Sequence, residues 1–252
     1  MTKICVIGAG PSGMSVLVHH AKLKALGLEN LPEVVCYEKQ LDWGGLWNYT
    51  WRTGTDQYGE PVHGSMYQHL WCNVPKEAGE YCDYTFDEHF HGKNLPSYVP
   101  RSVIMDYLQG RWNKYNLKSS VKFNTIVRNV KFNPESSNFT VNIENLRDKS
   151  CTENVFDYVF VASGHFSVPY VPEISGIQSF PGRVLHAHDL RTFEEFRRKR
   201  ILIIGSSRSA EDVSLQFYKF GALTPIMTVE NQCNLTIFED RFYDNFSVNK
   251  WW

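Results

Sequence analysis

The chain carries almost no net charge. Its 26 Lys and Arg stand against 27 Asp and Glu, a formal charge of −1 over 252 residues. No basic field is available to hold a phosphate backbone, which argues against a nucleic-acid partner. No apolar run approaches the roughly 20 residues that a membrane-spanning helix needs. Cysteine is sparse: Cys5, Cys36, Cys72, Cys82, Cys151 and Cys233 form no C-x-x-C pair, and no His/Cys spacing suits zinc. No metal site is expected. With no signal peptide legible, reduced thiols in a cytoplasmic protein are the expectation. The sequons at Asn48, Asn138, Asn234 and Asn245 then read as chance matches.

Glycine is placed where it counts. "KICVIGA" reads as a buried strand of a parallel sheet, apolar on both faces. Gly8-Ala9-Gly10-Pro11-Ser12-Gly13 follows it and opens the helical pattern "SGMSVLVHHAKLKALG". This is G-x-G-x-x-G between a strand and a helix, the context that a dinucleotide requires. Gly8 permits the turn, Gly10 lets backbone approach a pyrophosphate, and Gly13 allows close helix–sheet packing. Glu38 ends the next strand, "PEVVCYEK", near the spacing of an acid that binds a ribose hydroxyl. The alternative is a glycine turn of purely structural use. Residues 43–98 are rich in Gly, Trp, Tyr, Asn and His with little periodicity, more irregular chain than a compact domain keeps without a function. A helix over "PRSVIMDYLQGRWNKYNL", alternating strands "VKFNTIVRNVKFN" and "NFTVNIEN", and a buried strand "FDYVFVASG" follow. A second strand–loop–helix unit stands at "RILIIGSSRSAEDVSLQFYKFGA".

The runs "EKQLDWGGLWNYTWRTG", 38–54, and "EPVHGSMYQHLWCNVPKE", 60–77, resemble the flavin-containing monooxygenases, and within them the trimethylamine monooxygenase branch. The resemblance runs from Met1 to about Ala222. It implies an α/β fold, the two-dinucleotide-binding-domain flavoprotein type: a FAD-binding Rossmann-like domain with an inserted, incomplete NADP-binding Rossmann domain. The expected bounds are 1–168, 169–222 and a divergent tail, 223–252. It further implies that Ser12, Glu38, Gln40, Leu46, Trp47 and His63 line FAD, with Val127 contacting the adenine through its backbone. Gly44 and Gly45 would let backbone approach a ring system. For Trp47 and His63 plain core packing is the competing reading.

Asn73, in the N-x-P-K run Asn73–Lys76, is the candidate catalytic residue. An amide donates and accepts hydrogen bonds without titrating near neutrality. The resemblance places it toward flavin and nicotinamide ribose, with Trp71 against NADP; a turn residue before Pro75 is the alternative. Phe180-Pro-Gly182-Arg-Val-Leu-His186 matches the family fingerprint F-x-G-x-x-x-H. Leu190 stands where classical members have Tyr or Phe and a sister class, the Baeyer–Villiger monooxygenases, has Trp, which argues against that sister class and departs from the classical pattern. His186 either tunes the domain linkage or is a buried structural histidine. Gly205, Ser206, Ser207 and Ser209 would bind the NADPH pyrophosphate, hydroxyls donating where glycine only makes room.

After Ala222 the likeness ends. The arginine that pairs with a 2′-phosphate is missing, and a strand "IMTVE" would end in Glu230, which suits NADH better. The chain therefore reads as a C-terminally truncated member with an unrelated ending. The implied enzyme uses NADPH and O₂ to oxygenate an amine or sulfide through a C4a-hydroperoxyflavin; the alternative is an inactive dinucleotide-binding fragment. Without a paired dithiol, a flavin disulfide reductase is disfavoured. A homodimer stays open.

Overall fold

The structure, a computed structural model, describes residues 1–229 and 232–237, with side chains through Leu223. In chain order the elements are β1 (Lys3–Ile7), α1 (Pro11–Ala25), β2 (Glu33–Tyr37), α2 (Lys76–Gly79), α3 (Phe86–His89), α4 (Arg101–Lys114), β3 (Val121–Lys122), β4 (Thr125–Asn133), β5 (Asn138–Asn145), β6 (Cys151–Phe156), β7 (Tyr158–Val161), β8 (Arg200–Ile204), α5 (Arg208–Lys219), β9 (Leu223–Val229) and β10 (Gln232–Ile237). The chain forms two compact units. One holds Met1–Met66 and Trp71–Asp189; the other holds Tyr67–Leu70 and the described residues from Leu190 onward.

In the first unit a parallel sheet runs β3-β2-β1-β7. β1 is central, so its Cys5 and Val6 are fully buried, as an apolar strand with neighbours on both sides must be. The buried residues of α1 are Gly13, Met14, Leu17 and Val18, spaced at the helical period. They share a core with Tyr107, Leu108 and Trp112 of α4, where Trp112 stacks on Trp43 at 4.9 Å between ring centroids. Each such side chain contributes roughly 1.5–3 kcal/mol by leaving water. β4, β5 and β6 form an antiparallel meander, with Val141, Ile143 and Phe156 clustered on Cys5 and Tyr37. β5 shows the alternation read for it, burying Val141 and Ile143; in β4 the register shift between Val127 and Asn129 breaks the alternation and Phe132 is exposed.

The strand "FDYVFVASG" differs from its reading. β7 pairs with β1 and lies at the edge of the sheet among the described residues, leaving Tyr158, Phe160 and Val161 exposed. Its two apolar faces are those of an interior strand, but it has one neighbour.

The irregular region is pinned to α4. Arg111, 3% exposed, makes an ion pair with Asp83 at 3.0 Å and lies 3.7 Å over the Tyr81 ring. The Tyr107 hydroxyl accepts from Tyr81 N at 2.7 Å and donates to Tyr84 O.

In the second unit β8, α5 and β9 form a parallel βαβ unit, and β10 adds antiparallel to β9. The chain thus continues in regular structure past Ala222, where the sequence pattern fades. Pro225 falls in the register shift between β8 and β9. A residue without an N–H cannot donate to the ladder and blurs the strand pattern. Glu230 lies outside the described residues. The buried residues of α5 include Ala210, Val213 and Phe217, and Phe193 packs edge-on to Phe217 at 5.0 Å.

Candidate functional site

The first glycine turn leaves no room for a side chain at Gly8 or Gly13. Gly8 has φ +99°, and a Cβ there would lie 2.6 Å from Ala162 O at the end of β7. A Cβ on Gly13 would lie 1.9 Å from Gly8 O. Gly8 N donates to Tyr37 O at 2.8 Å, tying the turn to the end of β2. Gly44 N donates to Ala9 O at 3.0 Å, and a Cβ on Gly10 would meet Gly45 Cα at 3.6 Å. The turn Gly44–Trp47, which carries Leu46 and Trp47, therefore lies directly on the glycine loop. Trp47 is half-buried and packs on the main core.

Glu38 is buried behind this loop. Its Oε2 accepts from Ala9 N at 2.6 Å and its Oε1 from Gln40 N at 2.8 Å. Burial pushes the carboxyl above its usual range, while the two N–H groups pull it down. Each oxygen keeps a further lone pair for a hydroxyl. His63 Nε2 lies 3.4 Å from the Cβ position of Gly164, just beyond β7. Burial first, then Lys39 and His188, lowers the pKa of this imidazole and favours its neutral form.

These residues suit a flavin dinucleotide. α1 begins at Gly10 and Pro11 with no side-chain cap, and Ser12 is exposed in its first turn. Its first-turn N–H groups and dipole are a place for a pyrophosphate. Val127 lies on β4 immediately before a register shift between Val127 and Asn129. Such a bulge frees backbone groups from the ladder. Trp71 and Asn73 sit on another loop, held by Cys72 N to Val99 O at 2.8 Å and Lys76 N to Ser97 O at 2.7 Å. Both side chains are exposed.

The second loop is open. Gly205 has φ +130° with nothing within 4 Å of its Cβ position. Ser206, Ser207 and Ser209 are exposed, and Ser207, the N-cap of α5, makes no side-chain cap bond. The hydroxyls and the helix terminus can thus face a phosphate together. Arg208, exposed in the first turn, places a cation in the same loop. In the sequence, a cation inside a phosphate loop is the signal that points to Arg208. The fingerprint before it corrects one reading. His186 is exposed and its Nδ1 accepts from His188 N at 3.0 Å. The buried histidine is His188, with Nδ1 2.8 Å from Asp189 Oδ1. Leu190 is buried.

The sequence model of the family described as flavin-binding monooxygenase-like matches residues 1–239. The chain belongs to that family. It is 54% identical over 222 residues to a trimethylamine monooxygenase of Pelagibacter ubique, covering 88% of this chain and 49% of the relative. The crystal structure of Tmm from Pelagibacter sp. strain HTCC7211 superposes with a TM-score of 0.87 at 49% identity, over 92% of this chain and 52% of that one. The S-allyl-L-cysteine S-oxygenase of Allium sativum follows at 0.78 and 29%, over 91% and 51%. The two-dinucleotide flavoprotein fold class that the resemblance implies is the one these likenesses show. The chain spans about half the length of the curated relatives it matches. Among the described residues no helix is long and apolar enough to cross a membrane.

Proposed function

We propose that the chain carries the dinucleotide-binding machinery of a flavin-dependent monooxygenase that uses NADPH and O₂ to oxygenate a soft amine or sulfide. The observation that carries this reading is the preformed first loop, closed by Glu38 and by Gly44–Trp47, in a family member with a trimethylamine monooxygenase among its relatives. Bound flavin supplies the hydride and oxygen chemistry; the protein binds, orients and excludes water. Gly8, Gly10, Ser12 and Gly13 hold the pyrophosphate on α1, and Glu38 accepts from the ribose. Gln40, Leu46, Trp47 and His63 line the ring system, and the Val127 backbone meets the adenine. Gly205, Ser206, Ser207, Arg208 and Ser209 hold NADPH, with Trp71 beside it. Asn73 is the catalytic residue: its amide holds the reacting groups without giving up a proton. Among the described residues five cysteines are free thiols, two of them buried, which supports a reducing, cytoplasmic setting.

A second reading, a dinucleotide-binding module without turnover, is favoured by one observation. β7 and β8 leave apolar side chains exposed, Val161 and Ile204 among them, where sheets of this kind are ordinarily covered.

The deciding experiment is the visible absorbance of the purified chain, with and without added FAD, followed by anaerobic NADPH. A flavin spectrum that bleaches supports the monooxygenase reading, and trimethylamine and a dialkyl sulfide are then assayed for N-oxide and S-oxide. A flavin spectrum that NADPH leaves unchanged favours the module, and a colourless protein that takes up no FAD sinks both. Sedimentation of the same sample tests the homodimer.

A further inference from the structure

Residues Tyr67–Leu70 group with the second unit, although the sequence on either side of them belongs to the first. Their contacts show why. The Tyr67 ring is buried edge-on against Phe193 at 5.5 Å, and its hydroxyl donates to the Asp212 carboxylate. Gln68 N donates to Arg191 O at 2.8 Å. His69 O accepts from Gln216 Nε2 at 3.3 Å, and the His69 ring lies 4.8 Å from that of Phe220. Asp212 and Gln216 are one turn apart on α5, so this four-residue strap is fastened along one side of that helix.

α5 is also the helix whose first turn forms the second phosphate loop. At the other end, the strap leads without a break into Trp71, Cys72 and Asn73. A 12-residue helix moves as one body. An anion held by its first-turn amides restrains Asp212 and Gln216, and with them the strap. The phenol fixes the register of that attachment. A buried hydroxyl without an acceptor is disfavoured, so Tyr67 holds one position, where a phenylalanine could pack in several. Resting on the nucleotide reading of the second loop, we propose that Tyr67 and Asp212 are positioning residues. Their hydrogen bond passes the occupation of the α5 N-terminus by a pyrophosphate-bearing nucleotide to the loop that carries Trp71 and Asn73.

The test uses the full chain. Isothermal titration with NADP⁺ measures binding, and hydrogen exchange of the peptide 67–76 measures the response. Saturating NADP⁺ is expected to slow that peptide's exchange by about threefold or more. Tyr67→Phe is expected to abolish the slowing while the Kd stays within about threefold of wild type. Asp212→Asn, whose amide oxygen still accepts from the phenol, is expected to keep it. Should Tyr67→Phe fail to fold, Asp212→Ala removes the same bond from the other side and is held to the same result. Binding with unchanged exchange in wild type, or slowing that survives loss of the bond, overturns the proposal alone. Absence of any NADP⁺ isotherm overturns the nucleotide reading of the second loop, and the coupling with it.

Discussion

Glu38 closes the first glycine turn from behind, its two carboxylate oxygens accepting separately from Ala9 N at 2.6 Å and Gln40 N at 2.8 Å. Glu38→Gln keeps the shape but offers one acceptor to two buried N–H groups. The side-chain NH₂ then faces a backbone donor, and the unmatched pair costs about 1–3 kcal/mol. Urea denaturation should show that loss, and a FAD titration should show weaker binding, because the turn is no longer held ready. Equal stability and equal FAD uptake would mean that the carboxylate neither shapes the loop nor meets the ribose.

Gly13 is the least replaceable position of the turn. A Cβ placed 1.9 Å from Gly8 O forces α1 away from β1 or distorts the turn. Gly13→Ala should lose about 1–3 kcal/mol, the usual cost of forcing atoms into a packed site. It should also lose FAD binding. Gly79→Ala is the control: its Cβ position has nothing within 4 Å, and the change should stay within about 0.5 kcal/mol.

Much of this was legible because local chemistry decided it. The strand, the glycines, the helix and Glu38 lie within 40 residues, and each demands the others. The alternation of β5 is likewise local. What was illegible depends on distant partners. β7 has the composition of an interior strand, and only the sheet order shows that it lies at an edge. His186 and His188 are two residues apart with nothing to say which is buried; packing chose His188. Tyr67 and Asp212 are 145 residues apart, and no spacing rule joins them. The strand read as "IMTVE" covers only the second half of β9, because Pro225 interrupts the pattern before it.

Asn73 is exposed on a loop fixed by backbone bonds at Cys72 and Lys76. Replacing it should therefore leave the fold alone, within about 0.5 kcal/mol. Asn73→Ala is expected to retain FAD and NADPH uptake and to lower oxygenated product by about tenfold or more, which is the signature of an interaction used in turnover. A variant with normal product formation would return Asn73 to the role of an ordinary turn residue.

Arg208 is the exposed cation of the second loop. A charge-assisted contact to phosphate is worth about 1.5–3 kcal/mol. Arg208→Ala should weaken NADPH binding by about tenfold or more. Comparison with NADH separates two uses of the guanidinium. If it meets the 2′-phosphate, NADH binding is unchanged; if it meets the pyrophosphate, both nucleotides weaken alike. Unchanged binding of both would remove Arg208 from the site.

Asp212 gives the second unit a pH dependence. Burial is the larger influence and raises its carboxyl above the usual range, against the lowering effects of Tyr67, Gln216 and Lys219. A folded-state pKa above the unfolded one means that the protonated form is favoured in the fold. That contribution is present below the ordinary carboxylate range and is lost as pH rises through the raised value. Asp212→Asn cannot ionise and keeps an acceptor for the Tyr67 hydroxyl. Relative to wild type it should therefore gain stability as pH rises from about 4 toward 7. Thermal melts of both proteins across that window measure the difference. A gap that closes or stays flat with rising pH would show that Tyr67, Gln216 and Lys219 outweigh burial at this carboxylate.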